Sequence, residues 1–105
     1  MLNLNPEHQL KVPTVRRPAY TLYLEQANRD LTFIHCDIHG KWTSKVKKAL
    51  QNDWTLLKFL HGGPLFALHD PEDHKHAKFL RLFGLRKVEQ FVSRTDGRTH
   101  HIYMT

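Results

Sequence analysis

Residues 70–85, DPEDHKHAKFLRLFGL, carry the clearest fold signal in the sequence. Asp70 predicts the N-cap of a helix and Pro71 its first residue, with acidic side chains following in the positively polarised first turn. Gly84 is placed to end this helix. One helical face then carries side chains at i, i+3, i+4 and i+7: His76, Phe79, Leu80 and Phe83. The stretch therefore predicts an amphipathic helix that packs on a core.

Strands are predicted on both sides of this helix. Residues 65–68 are a short apolar run between a turn signal and the helix start, which indicates a buried strand. Residues 85–93 and 98–104 flank Asp96 and Gly97, and an Asp-Gly pair supplies the positive φ that a tight turn needs. We expect a β-hairpin at the C-terminus.

The N-terminal part predicts an arm followed by another hairpin. Residues 1–18 are polar and contain three prolines, which predicts an extended arm with partial order at best. Residues 20–25 alternate between apolar and polar, and residues 31–38 are rich in β-branched and aromatic side chains. The short polar turn between them favours an antiparallel hairpin.

A helix with a basic outer face is predicted next. Thr43 or Ser44 is its cap, and Val46, Ala49 and Leu50 follow helical spacing. Residues 54–60 are either its continuation or a short second helix, and the sequence does not separate these alternatives. A Gly-Gly-Pro sequence then stops the helix in either case.

Together these elements predict an α+β fold in the order strand, strand, helix, strand, helix, strand, strand. We expect a twisted mixed sheet of about five strands with two or three helices, in which the middle strand-helix-strand unit is a right-handed crossover. A length of 105 residues supports one core. The chain is therefore interpreted as an arm, residues 1–18, and a single domain, residues 19–105.

Composition limits the partner and the compartment. Sixteen Lys and Arg against ten Asp and Glu give a net charge of +6 with the nine histidines neutral, which predicts an acidic partner, either protein or nucleic acid. Cys36 is the single cysteine, which excludes an intramolecular disulfide and favours a cytoplasmic protein. Neither a signal peptide nor a membrane span is predicted.

The stretches HKHAKFLRLFGL, residues 74–85, and VSRTDGRTHHIYM, residues 92–104, resemble the C-terminal part of the GNAT family of N-acetyltransferases. In that family a strand leads to a helix, a glycine turn and a hairpin. The same stretches resemble the acetyltransferase-like internal virion proteins of short-tailed phages, which carry a similar His-x-x-Phe-Leu helix and Arg-Asp-Gly hairpin. The resemblance implies a GNAT-like fold.

The resemblance also implies a cofactor site. In the family, the pyrophosphate of coenzyme A lies on backbone N–H groups of a Gly-rich loop at a helix N-terminus, and the matching stretch here is HGKWTSK, with bulkier residues in place of two glycines. The family's usual tyrosine acid falls on Leu80 and its helix-start asparagine on His74, so His74 is the remaining catalytic candidate. The implied cofactor contacts, for acetyl-CoA, are His39, Gly40, Lys41, Thr43, Ser44 and Lys45.

Two groups of basic side chains are candidate patches for nucleic acid or another acidic partner. Trp42 is available for stacking beside the first group. The alternative interpretation is a solvated helix face. The candidate patch residues are Lys45, Lys47, Lys48, Arg81, Arg86 and Lys87.

The remaining acidic, cysteine, histidine and aromatic residues are interpreted as structural rather than catalytic. The acidic group at positions 70, 72 and 73 is explained by helix capping, and Cys36 by burial in the core. No metal site is predicted, because neighbouring histidines diverge on strands and helices. The alternative is a metal site whose ligands come from separate elements, such as His35, His39 and His69. Four aromatic residues are interpreted as core, with a binding surface as the alternative: Trp54, Phe59, Phe79 and Phe83.

The resemblance implies a phage-type protein with an acetyltransferase-like fold. Together with the missing tyrosine acid and the basic surface, it favours binding of a macromolecule, as a virion component or a host-directed effector, without acetyl transfer. The alternatives are a minimal acetyl-CoA-dependent N-acetyltransferase and a basic nucleic-acid-binding module. A homodimer through an exposed edge of the terminal hairpin also remains open. Membrane association is not expected.

Overall fold

The computed structural model describes residues 11–105, in which six strands and two helices confirm the predicted α+β class. These residues fall into two compact units, one ending at Leu65 and one spanning residues 66–105. The elements are β1 Lys11–Arg16, β2 Tyr20–Asn28, β3 Leu31–Ile38, α1 Ser44–His61, β4 Phe66–His69, α2 His74–Leu82, β5 Arg86–Val92 and β6 Thr99–Met104.

In the first unit, β1, β2 and β3 form an antiparallel meander. Tyr20 lies opposite Ile38 and Leu24 opposite Ile34, which confirms the predicted hairpin. The strand count of about five is wrong because β1 pairs with β2, from Lys11 opposite Glu25 onward. Pro13 does not prevent this pairing, since β1 is an edge strand with an irregularity between Pro13 and Val15, where a missing N–H is tolerated. The part of the predicted arm before residue 11 lies outside the described residues.

Helix α1 is one continuous helix, which decides between the two alternatives for residues 54–60. Thr43 is the N-cap, and its hydroxyl oxygen accepts a hydrogen bond from the Val46 N–H at 3.1 Å. Gly62 ends the helix at a φ of 74°, and its N–H donates to the Lys58 carbonyl at 3.1 Å. The face that packs inward carries Leu50, Trp54 and Leu57.

In the second unit, β6 lies between β4 and β5 and is antiparallel to both. The predicted C-terminal hairpin is confirmed, with Gly97 in its turn at a φ of 68°. Helix α2 packs Leu80 inward, and Gly84 follows it at a φ of 81°, as expected for the helix stop. The core of this unit includes Ala67, Leu80 and Tyr103.

The predicted start of α2 at Asp70 is wrong by three residues. Asp73 is the N-cap, and its carboxylate accepts from the His76 N–H at 3.0 Å. The Asp70 carboxylate instead accepts from the Glu72 N–H two positions on, a local turn that competes with helix. Arg98 from the hairpin turn holds this segment through hydrogen bonds of 2.7 Å to Asp70 and 3.0 Å to Glu72.

Within residues 11–105, neither helix combines the length and the apolar character that crossing a lipid bilayer requires.

Candidate functional site

The segment between β3 and α1 contains the residues that the resemblance assigned to a cofactor. The His39 N–H donates to the Ala19 carbonyl at 2.8 Å, and its Nε2 lies 2.7 Å from the Thr21 hydroxyl, so this end of the segment is anchored to β2. A Cβ at Gly40 would meet no atom within 4 Å, and Gly40 has no positive φ. Neither close packing nor backbone conformation therefore requires glycine at the position matching the family's cradle.

The N-terminus of α1 carries positive charge from two sources, the helix dipole and lysine side chains. Its first turn has no acidic residue, although the helix dipole favours negative side chains there. Exposed Lys45 and Lys48, with half-buried Lys47 between them, add cations to that end of the dipole. The Thr43 hydroxyl is occupied as an acceptor by the capping bond, and Lys41 and Ser44 are exposed beside it. The arrangement suits an anionic group through lysine charge and helix end rather than through a glycine cradle.

A cleft of about 490 Å³ lies between the turn after β1 and the side of α1. Sequence reasoning missed it because its two walls are distant in the chain. Its lining includes a polar cluster, in which Asp53 accepts hydrogen bonds from the Arg17 Nε and Nη2 at 3.0 Å each and from the Tyr20 hydroxyl at 2.5 Å. The lining residues are Arg17, Pro18, Ala19, Tyr20, Lys45, Val46, Ala49, Asn52 and Asp53.

The protonation of this cluster is set by its hydrogen bonds and by burial. The bonds from Arg17 hold the pKa of the Asp53 carboxyl below its usual range, against the opposing effect of burial. Burial, with the hydrogen bond to Asp53, raises the pKa of Tyr20 to about 12. At neutral pH the cluster is therefore an arginine cation, a carboxylate and a neutral phenol, and Tyr20 is held as a hydrogen-bond donor.

A second feature of α1 is an apolar stripe that faces away from the core. Leu56, Phe59 and Leu60 are 55%, 80% and 69% exposed. The prediction that Phe59 belongs to the core is wrong, because the inward face is already formed by Leu50, Trp54 and Leu57. The i, i+3, i+4 spacing on the opposite side was the signal in the sequence that could have found it. We call Leu56, Phe59 and Leu60 the apolar stripe.

The second predicted basic patch lies on the second unit. Arg81 is in the last turn of α2, and Arg86 and Lys87 begin β5. All three are exposed, and Lys87 donates to the Gln90 side chain at 2.7 Å.

Two histidines of the second unit form a pair that sequence reasoning did not find. The Nδ1 atoms of His69 and His76 lie 3.0 Å apart, so one must donate to the other. The His101 ring is 6.0 Å from that of His69, and Tyr103 contacts His69 edge-on. Burial is the main cause that lowers the pKa of His69 and of His76, and their proximity lowers that of His69 further.

Two further histidines, both singled out in the sequence, lie on other elements. His35 pairs with the Glu25 carboxylate at 2.7 Å, and His74, the catalytic candidate, is exposed at the first position of α2. Among residues 11–105, no group of three or more His, Cys, Asp or Glu side chains is arranged to hold a metal ion.

Cys36 lies on β3 opposite Leu22 and is half-buried. Burial, with a smaller contribution from the Asp37 charge, raises the pKa of its thiol to about 12. The thiolate needed for nucleophilic attack is therefore scarce at neutral pH.

No protein-family model and no curated protein matches the sequence. Two solved structures are similar. The ribosomal-protein-S5-alanine acetyltransferase of Vibrio fischeri aligns with a TM-score of 0.61 at 13% identity over 83% of this chain and 53% of its own. An acetyltransferase of Sphaerobacter thermophilus, described as putative, aligns with a TM-score of 0.49 at 12% identity over 85% of this chain and 61% of its own.

The first similarity shows the class of fold. The described chain has a GNAT-like, acetyltransferase-type fold, as the resemblance implied. At 13% identity the likeness concerns the fold alone. The chain spans about half the length of the Vibrio fischeri enzyme, at 53%. The further resemblance to phage virion proteins stays a prediction.

Proposed function

We propose that this chain is an acetyltransferase-fold protein that acts by binding an acidic macromolecule and transfers no acetyl group. The observation that carries the proposal is Leu80, which is 4% exposed in the core of its unit. The resemblance matches this position to the family's tyrosine acid, and a buried leucine side chain has no proton to give to a departing thiolate. His74, the remaining candidate, is exposed and makes no side-chain hydrogen bond to the described residues.

The surface of α1 supports the binding role. Lys45 and Lys48 are exposed at its N-terminal end, and the apolar stripe is exposed at its C-terminal end. Phosphate groups would satisfy the lysines and leave the stripe in water, whereas a protein face offers both acidic and apolar groups. A protein partner is therefore favoured over nucleic acid, and a virion component or host-directed effector of phage type fits such a role.

Isothermal titration of the full chain with acetyl-CoA and with CoA tests the proposal. We expect no heat of binding at millimolar cofactor, and micromolar binding to the wild-type protein would contradict it. The variant Lys45→Ala removes a charge at the start of α1. It is the control that shows whether any cofactor binding depends on this site. Titration with duplex DNA at low and physiological salt tests the alternative that the chain is a nucleic-acid-binding module. In that case the affinity for DNA must fall steeply as the salt concentration rises.

The second candidate function is an acetyl-CoA-dependent N-acetyltransferase, and the positively charged start of α1 is the observation that favours it. Lys41 and Lys45, with the backbone from His39 to Ser44, are the groups that would hold the cofactor's pyrophosphate. The cofactor would supply the acetyl group as a thioester. Transfer of labelled acetyl to an amine, lost in Lys45→Ala, is the result that would establish this function.

A further inference from the structure

One face of α1 carries two chemically different halves along its length. At 100° per residue, Lys45, Lys48 and Asn52 lie on the same side of the helix as Leu56, Phe59 and Leu60. This side is centred about 150° from the inward face of Leu50, Trp54 and Leu57. The exposed face therefore begins basic and ends apolar, over a length of about 22 Å.

The charge on this face has no compensation within α1. Asp53 is the one acidic residue of the helix, and it is already paired with Arg17 at 3.0 Å. Lys45 and Lys48 form no ion pair with any residue from 11 to 105. The cleft shares Lys45, Ala49 and Asn52 with this face, so a recess adjoins its basic half.

A second copy of the chain does not complement this face. Two α1 helices paired in parallel would place lysine against lysine, and each chain already carries a net charge of +6. An antiparallel pair would place the lysines of one copy against the apolar stripe of the other, which leaves both without suitable contacts. The complementary surface must carry acidic groups at one end and apolar groups at the other.

We infer that the face of α1 formed by Lys45, Lys48, Asn52, Leu56, Phe59 and Leu60 binds an amphipathic helix of a partner protein, about four turns long, with Asp or Glu at one end and apolar side chains at the other. The inference rests on the proposed function, because it names the partner chemistry and the surface for that binding. Phe59 is the central anchor, since it is the most exposed of the three apolar residues and an aromatic side chain buries a large area.

The probe for this inference is a dye-labelled synthetic helical peptide of about 18 residues. Its contact face carries glutamates in one half and leucines in the other. One control peptide has lysine in place of every glutamate, and another has serine in place of every leucine. Fluorescence anisotropy with the full chain is expected to show binding of the Glu/Leu peptide and much weaker binding of both controls.

Variants of the chain test whether the peptide contacts α1. Phe59→Ser is expected to weaken binding of the Glu/Leu peptide at least about tenfold. Val92→Thr, at an apolar position that is 64% exposed on β5, is the matched control and leaves affinity unchanged. The double variant Lys45→Glu and Lys48→Glu is expected to prefer the Lys/Leu peptide. Thermal unfolding confirms that each variant is folded, and Phe59→Ser loses little stability because its side chain is exposed.

Several results would overturn the inference. These are no binding of the Glu/Leu peptide at millimolar protein, binding that Phe59→Ser leaves unchanged, and a dimer in sedimentation that Phe59→Ser abolishes. A photo-crosslink from p-benzoylphenylalanine placed at position 59 to residues 1–10 of the same chain would also overturn it. The cofactor titration is an independent test. If the chain binds both acetyl-CoA and the Glu/Leu peptide, the proposal that it transfers no acetyl group is contradicted, whereas the inference that this face of α1 binds a helix is retained.

Discussion

Arg17 and Asp53 are joined by two parallel hydrogen bonds of 3.0 Å, although they lie 36 positions apart in the chain. The bonds connect the turn after β1 to the middle of α1, and Tyr20 adds a third bond to the same carboxylate. A planar guanidinium matches a carboxylate in this paired geometry, which lysine cannot reproduce. The contact therefore fixes where α1 lies against the meander of its unit.

Asp53→Ala is expected to destabilise the protein by about 1–3 kcal/mol. The reason is that the Tyr20 side chain, 1% exposed, would lose the acceptor of its hydroxyl. Urea unfolding monitored by circular dichroism measures the change. Arg16→Ala, an exposed neighbour of Arg17 on β1, is the control and should have a small effect. Equal midpoints for Asp53→Ala and the wild type would contradict the structural role of the cluster.

The His69–His76 pair predicts that the free energy of unfolding falls as the pH is lowered through about 6.5. Both pKa values are lowered in the folded protein, mainly by burial, while the nearby Asp73 charge opposes the shift. The unfolded chain therefore binds more protons below its ordinary histidine pKa, and stability is fully present above that pH. The unfolding free energy, measured from pH 8 to 5, is expected to decrease steadily below about 6.5.

Substitution of one member of the pair identifies the source of this pH dependence. His76→Gln is expected to flatten the slope, because it removes one titrating group and the charge repulsion on His69. His74→Gln changes an exposed histidine on the same helix and should leave the slope as in the wild type. Identical slopes for all three proteins would show that the pair does not control acid stability.

Cys36 is expected to react slowly with iodoacetamide at pH 8 in the folded protein and much faster in urea. The pKa of the thiol is raised to about 12, mainly by burial, so the reactive thiolate is scarce in the fold. Mass spectrometry of the alkylated chain over time gives both rates. Equal rates in the two conditions would mean that β3 does not shield the thiol.

Gly62→Ala is expected to cost about 1 kcal/mol of stability. Gly62 ends α1 at a φ of 74°, a conformation in which a Cβ is strained even though the space around it is open. Gly40→Ala is the matched control, because its surroundings are equally open and its φ is not positive. Thermal unfolding compares the stability of the two variants. A larger loss of stability for Gly40→Ala would contradict the conclusion that Gly62, and not Gly40, needs glycine for its backbone conformation.

Local sequence patterns predicted the two hairpins and the presence of both helices, but they left the length of α1 open and misplaced the start of α2. The Asp-Gly turn at residue 97, the Thr43 cap and the Gly62 and Gly84 stops all act within a few residues, so their effect can be read from neighbouring positions. Asp70 and Asp73 both have capping chemistry, and Arg98, 28 positions after Asp70, favours the turn at Asp70. That choice depends on a tertiary contact and was predicted wrongly.

The candidate site was less predictable than the fold. The lysines around α1 could be identified from the sequence, and of the predicted patch residues on this helix Lys45 and Lys48 are exposed whereas Lys47 is half-buried. The Arg17–Asp53 contact and the His69–His76 pair join residues on different elements, and no local pattern signals them. Phe59 was misplaced because aromatic character favours the core, whereas its position on the helix placed it outside.

Strand β5 has a consequence for the protein at high concentration. It is the outer strand of its unit, and Val88, Phe91 and Val92 are exposed along it. Such an edge invites other chains to add to the sheet, but the irregularity between Lys87 and Glu89 and the charges there interrupt a regular hydrogen-bonding edge. Where many copies are crowded together, this defect favours solubility over the growth of fibrils.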